Sequence, residues 1–162
     1  MISEKIKEIL KTVWKKLSNG GINWVLVGSA NLGLQGVNVR VRDIDILTDK
    51  RGAFSINHLL KEYEVEKVRY TRSEKFASYF GKFKMSNTKI EVMGNLKLKD
   101  RSGKWWSGSY PLSNKRWIKL GKVRVPVSPL NYELIAYRRI GGYKKAKKIE
   151  EALRKSSKFS PS

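Results

Sequence analysis

Two carboxylates interrupt an apolar run early in the chain. The segment VRDIDIL, residues 41–47, has the branched apolar composition of a buried strand, yet it contains Asp43 and Asp45. Because strand side chains alternate between two faces, we expect both carboxylates on one face and Ile44 and Ile46 on the core face. The two charges repel each other, and a divalent cation such as Mg²⁺ would offset that repulsion. The sequence therefore predicts a strand that presents a cation site.

Two arginines precede this pair of carboxylates and allow a second interpretation. Arg40 and Arg42 alternate with valines, so both side chains are expected on one face, where they could contact a triphosphate or an RNA backbone. Alternatively, Asp43 and Asp45 are simply solvated and form ion pairs with Arg40 and Arg42.

A Gly-Ser pair lies upstream, where a strand is expected to end. INWVLVG, residues 22–28, is typical of a buried strand, and SANLGLQG, residues 29–36, of a turn followed by a short helix. Gly28 and Ser29 fall at this junction, where small residues and free backbone amides can contact an anion. An anion site beside two carboxylates is what a metal-bound phosphate requires.

The segment GSANLGLQGVNVRVRDIDIL resembles the Gly-Ser and Asp-x-Asp signature of the DNA polymerase beta-like nucleotidyltransferase superfamily, in particular its minimal, antibiotic-modifying and toxin-type branches. The resemblance implies an α+β fold, with a mixed β-sheet flanked by helices and further helices at the C-terminus. It also implies that Gly28 and Ser29 contact the triphosphate of a nucleoside triphosphate such as ATP, and that Asp43 and Asp45 bind two Mg²⁺ ions.

The resemblance further implies a third acid, for which Glu91 in KIEVMG is the best match. In the superfamily this residue helps to activate a hydroxyl for in-line attack on the α-phosphate, with release of pyrophosphate. The alternative is that Glu91 is a solvated residue of an edge strand.

The remaining pattern predicts one domain over residues 1–155 and a disordered tail over residues 156–162. Apolar spacing predicts an N-terminal amphipathic helix, and VEKVRY, FASYFGKFKM and TKIEVMG read as successive strands. Residues 97–115 are expected to form a long hairpin or loop, and RWIKL and VRVPV a hairpin. Ser128 is expected to cap a helix with Pro129 at its first position, before a last basic helix.

The charge of the chain indicates a polyanionic partner. It has 35 Lys and Arg against 14 Asp and Glu, a net charge of +21. Basic and aromatic residues alternate in KDRSGKWWSGSYPLSNKRW, where Lys104, Trp105, Trp106 and Arg116 could contact a single-stranded nucleic acid by stacking and by phosphate contacts. The tryptophans could instead cover the core or form a homodimer contact.

Composition excludes several classes of chemistry. The chain has no cysteine, which rules out disulfides, thiolate zinc sites and thiol nucleophiles, and its single histidine cannot form a histidine metal cluster. No apolar run is long enough to cross a bilayer, so a cytoplasmic protein without membrane contact is expected.

The sequence therefore predicts a magnesium-dependent nucleotidyltransferase that transfers a nucleoside monophosphate to a hydroxyl, with RNA, including a tRNA terminus, as the first acceptor to consider. The alternative is an inactive nucleotidyltransferase fold that serves as a basic nucleic-acid-binding module. A second protein is a further expected partner, since minimal members of the superfamily often act beside one.

Overall fold

The computed structural model describes residues 2–159, which form one sheet with helices on both faces. The helices are α1 Glu4–Ser18, α2 Gly28–Leu34, α3 Lys50–Leu59, α4 Tyr110–Ser113, α5 Leu130–Arg139 and α6 Tyr143–Phe159, with a 3₁₀ turn at Lys61–Tyr63. The strands are β1 Trp24–Val27, β2 Ile44–Thr48, β3 Glu64–Arg72, β4 Phe76–Met85, β5 Thr88–Lys99, β6 Trp105–Ser107, β7 Arg116–Leu120 and β8 Val123–Val127.

The sheet contains both parallel and antiparallel pairs. Its order is β3-β4-β5-β2-β1-β8-β7, and β6 pairs with β5. The β2–β5 and β1–β8 pairs are parallel, while the other neighbours are antiparallel. This mixed sheet with flanking helices confirms the predicted α+β class.

Helix α1 covers one face of the sheet. The Ser3 hydroxyl caps the helix by accepting a hydrogen bond from the backbone N–H of Ile6, and the chain turns away at Gly21, whose φ is +61°. Its inward residues Ile6, Ile9, Leu10, Val13 and Leu17 are buried with Ile44, Ile46 and Ile90 of the sheet and Ile56 of α3. Each such side chain stabilises the fold by about 1.5–3 kcal/mol. Since this core occupies one face of β2 and β5, the opposite face is left for their polar residues.

Two local predictions differ from the structure. Strand β2 begins at Ile44 rather than at residue 41, because β1 ends at Val27, the partner of Asp45, and residues before that pair have no β1 neighbour. The N-cap of α5 is Pro129, not Ser128, so there is no side-chain cap, and in the first turn Asn131 Oδ1 accepts a hydrogen bond from the backbone N–H of Tyr132 at 3.0 Å. Ser128 is fully buried, and its carbonyl accepts hydrogen bonds from the side chains of Asn31 and Gln35.

Residues 97–115, predicted to form a long hairpin or loop, form an antiparallel hairpin between β5 and β6, followed by the short helix α4. One oxygen of Asp100 accepts hydrogen bonds from the backbone N–H groups of Ser102 and Lys104 and from the Ser102 hydroxyl, and its other oxygen accepts from the Trp106 indole at 2.6 Å. These contacts hold a tight turn, which brings β6 back against β5.

The structure extends α6 to Phe159. Residues 160–162 of the predicted tail lie outside the described residues. Within residues 2–159, no helix combines the length and apolar character needed to span a membrane.

Candidate active site

The three predicted acids lie on neighbouring parts of one sheet face. Asp45 of β2 and Glu91 of β5 are direct partners in a parallel register, so their side chains point to the same side. Asp43 lies two residues before Asp45, on the same side of the chain. Strand β5 lies between β4 and β2, so Glu91 is not on an edge strand, and its side chain is 22% exposed.

The negative charge of an ionised Asp45 is only partly compensated by nearby cations. Burial raises the pKa of the Asp45 carboxyl to about 7, with smaller contributions from the negative charges of Glu91 and Asp43, while Lys145 and Lys89 act in the opposite direction. An additional cation close to Asp45 would favour the ionised carboxylate.

Lys89 provides one cation between two of the acids. Its ammonium group lies 2.9 Å from Glu91 Oε1 and 3.6 Å from Asp43 Oδ2. The hydrogen bond to Glu91 and the charges of both acids raise the pKa of Lys89. The structure thus pairs Asp43 and Glu91 with Lys89, whereas the sequence alternative paired Asp43 and Asp45 with Arg40 and Arg42.

The donor set suits a magnesium ion. Asp43, Asp45 and Glu91 offer only carboxylate oxygens, the ligand type that Mg²⁺ prefers. Within residues 2–159 no three acidic or histidine side chains already converge as a metal-binding group. The Lys89 ammonium lies between Asp43 and Glu91 and would compete with a metal ion for their oxygens.

Because Gly28 has no side chain, the Asp45 carboxylate has room to lie beside it. Its φ is +70°, and a Cβ built on it would lie 2.4 Å from Asp45 Oδ2. A side chain at this position would therefore collide with the carboxylate as well as strain the backbone. Ser29 follows in the first turn of α2 and is half-buried, as is Gly28. The structure brings this Gly-Ser pair beside the acids.

Glu133 is a fourth acid that the sequence analysis missed. It lies on α5, is 6% exposed, and accepts a hydrogen bond from Asn31 Nδ2 at 3.3 Å. Burial raises the pKa of Glu133 to about 7, partly offset by the Ser128 and Asn31 side chains. The sequence did indicate that Glu133 is buried, because it occupies a position of the apolar stripe formed by Leu130, Leu134 and Tyr137.

The structure places the predicted arginines outside the acid cluster. Arg40 and Arg42 are exposed in the irregular segment before β2, whereas Val39 is buried and packs near Ile149 of α6. The predicted alternation is therefore present, and both arginine side chains are available on the surface.

The aromatic residues of the predicted nucleic-acid surface contact cations of the same chain. Trp106 is half-buried, with Lys104 at 4.4 Å and Arg139 at 4.1 Å from its ring centre. Arg72 and Lys99 lie 5.2 and 5.8 Å from the ring centre of Trp105. A stacked base would compete with these contacts.

Arg116 lies on a different part of the sheet from Trp105 and Trp106. It is exposed on β7, at one end of the sheet, whereas Trp105 and Trp106 lie on β6, which pairs with β5. The four residues therefore do not follow a single strand pair.

The fold described above is that of a nucleotidyltransferase family. A model of the family described as aminoglycoside-2''-adenylyltransferase matches residues 9–155, and the chain belongs to that family. The superfamily resemblance read from the Gly-Ser and Asp-x-Asp residues is thereby confirmed.

Solved structures agree with this assignment. A protein from Thermotoga maritima assigned as a nucleotidyltransferase shares 34% identity, with 96% of each chain covered and a TM-score of 0.81. Two more distant structures share the fold alone. The lincosamide antibiotic adenylyltransferase LnuA, solved with lincomycin, has 11% identity over 93% of this chain and 98% of its own, with a TM-score of 0.57. ANT(2'')-Ia, solved with adenylyl-2''-tobramycin, has 5% identity over 92% and 90%, with a TM-score of 0.59. No curated protein sequence matches the chain.

Proposed function

We propose that this protein is a magnesium-dependent nucleotidyltransferase that transfers a nucleoside monophosphate from a triphosphate to a hydroxyl group. The observation that carries the proposal is the parallel register of Asp45 with Glu91, which puts both acids on one face beside Gly28. A binding module without catalysis would not need this arrangement of like charges, because like charges close together destabilise a fold.

Each residue has a distinct role in this proposal. Asp43, Asp45 and Glu91 would hold two Mg²⁺ ions, which when bound would neutralise phosphate charge and lower the pKa of the attacking hydroxyl. Gly28 and Ser29 contact the phosphates at the junction of β1 and α2. Arg40 and Arg42 contact the β- and γ-phosphates, which leave together as pyrophosphate.

We propose ATP as the donor. The family model and LnuA are both named for adenylyl transfer, which supports adenine as the base. RNA as the acceptor and a second protein as a partner stay predictions from the charge and from the superfamily resemblance, as does the cytoplasmic location.

The test is calorimetric titration of Mg²⁺ and each of the four nucleoside triphosphates into wild type and into the double variant Asp43→Asn, Asp45→Asn. We expect magnesium-dependent binding that is strongest for ATP and absent from the double variant. The matched control is Glu151→Gln, an exposed charge on α6 that should leave binding unchanged.

Equal binding of ATP by wild type and double variant would refute the metal assignment. Absence of triphosphate binding from wild type and control would refute the enzyme, and salt-dependent RNA affinity retained by the double variant would then identify the binding module.

A further inference from the structure

A cavity of about 470 Å³ opens beside the proposed metal site. Gly28, Asp45 and Glu91 line one end of it. The remainder extends over β4 and β5 and is covered in part by α5, and its lining is mostly apolar or aromatic: Phe76, Phe80, Met93, Leu96, Leu98, Tyr132, Ala136, Tyr137 and Ile140. The volume and lining are those of a small-molecule site.

The strand order assigns this cavity to the acceptor. Gly28, which directly follows β1, comes first across the sheet. Asp45 on β2, Glu91 on β5 and then strand β4 follow in that order. In-line displacement requires the attacking hydroxyl and the leaving pyrophosphate on opposite sides of the α-phosphorus. If the phosphates contact Gly28, the hydroxyl must approach from the β5 and β4 side, where the cavity lies.

The charges around the cavity disfavour a polycation. The chain carries a net charge of +21, which repels positively charged molecules. The lining carboxylates Asp45 and Glu91 are occupied by the proposed metal ions, and the third, Glu133, is already hydrogen-bonded to Asn31. Among the described lining residues, this leaves Glu133 as the one remaining counter-ion, so a compound with several ammonium groups would bury charges without partners, which is costly.

An anion is disfavoured inside the cavity by a different feature. Among the described residues, the side chains that line it include no lysine, arginine or histidine. An RNA backbone carries a negative charge at every nucleotide and would have no partner there.

We propose that the acceptor is a small, uncharged hydroxyl compound with a largely apolar body, held over β4 and β5. This inference rests on the proposed function for the direction of attack. In the reaction the acceptor oxygen forms a bond to the α-phosphorus, the bond from that phosphorus to the bridging oxygen breaks, pyrophosphate leaves, and the hydroxyl proton passes to solvent or base.

The test uses the uncharged fluorophore N-phenylnaphthylamine on the intact protein with ATP and Mg²⁺ present. We expect saturable fluorescence enhancement that Ala136→Trp, which fills the cavity, weakens by about tenfold or more. Ile135→Trp is the matched control, because Ile135, which precedes Ala136 on α5, is itself 44% exposed and does not line the cavity. Ala136→Leu serves the same purpose if the tryptophan variant fails to fold.

Competition then separates the acceptor classes. Naphthalenemethanol should displace the fluorophore, while the polycation tobramycin and a short single-stranded RNA should not. Displacement by tobramycin or RNA without displacement by naphthalenemethanol would overturn the inference, as would equal fluorophore binding by Ala136→Trp and Ile135→Trp.

The failure of this inference can be distinguished from the failure of the proposed function. Magnesium-dependent ATP binding without fluorophore binding would support the proposed nucleotidyltransferase function and refute the apolar acceptor. The expected displacement without any ATP binding retains the cavity as an apolar ligand site and rejects nucleotidyl transfer as its purpose.

Discussion

Replacement of Gly28 by alanine should damage magnesium binding in a way that a second glycine replacement does not. Gly28 has φ +70°, so alanine there costs about 1–2 kcal/mol of unfolding free energy from the left-handed backbone alone. The new Cβ would lie 2.4 Å from Asp45 Oδ2, whereas ordinary contact begins at 3.4 Å. The carboxylate must therefore shift by about 1 Å, and disturbance of a metal ligand's surroundings costs about 10- to 100-fold in metal affinity.

Gly36→Ala separates the two effects. Gly36 has φ +84°, and a Cβ built on it would meet nothing within 4 Å. We therefore expect the same loss of about 1–2 kcal/mol in unfolding free energy from this variant, with magnesium affinity unchanged.

Urea denaturation gives the unfolding free energy of each variant, and calorimetry in the presence of ATP gives the magnesium affinity. We expect Gly28→Ala to lose at least as much unfolding free energy as Gly36→Ala, and only Gly28→Ala to lose magnesium affinity. Wild-type magnesium affinity in folded Gly28→Ala, or an equal loss in Gly36→Ala, would show that the contact between Gly28 and Asp45 does not shape the metal site.

Three further outcomes follow from the charges of the site. Asp45→Asn should raise the midpoint of thermal unfolding at pH 8 without metal, because it removes a buried charge beside two others, and a lower midpoint would contradict this. Lys89→Gln should bind magnesium more tightly in calorimetry, because the ammonium group no longer competes, while Lys84→Gln on β4 should bind as wild type does. The Glu133 pKa is raised from 4.5 to about 7, so ionisation costs stability as pH rises through that window. Urea denaturation from pH 4.5 to 7 should show Glu133→Gln lose less stability than wild type, and parallel curves would refute this.

The sequence was sufficient to predict the face on which Asp43 and Asp45 lie. Strand alternation is a local rule, so the apolar residues at 44 and 46 determine the direction of both carboxylates. The pairing of Asp45 with Glu91 could not be derived in this way, because β2 and β5 are parallel strands distant in sequence. Only the resemblance to the superfamily indicated Glu91.

One wrong prediction, the Ser128 cap, and one missed residue, Glu133, involve hydrogen bonds between residues distant in sequence. Ser128 has the residue type of a helix cap, but its carbonyl accepts hydrogen bonds from Asn31 and Gln35 and the residue is buried between α2 and α5. Glu133 was missed as a site residue, and its buried side chain accepts a hydrogen bond from Asn31, which is distant in sequence. Hydrogen bonds between residues this distant in sequence have no local pattern, although the apolar spacing of Leu130, Leu134 and Tyr137 did indicate the burial of Glu133.

The parallel pairing of β2 with β5 also affects the order of folding. Strands β3, β4 and β5 follow one another as an antiparallel meander with short turns, so their contacts are local and can form quickly. The long stretch of chain between β2 and β5 must close into a loop before Asp45 meets Glu91. We therefore expect magnesium affinity to return after the circular dichroism signal of the sheet during refolding, so that recovery of the metal site reports the completion of the fold.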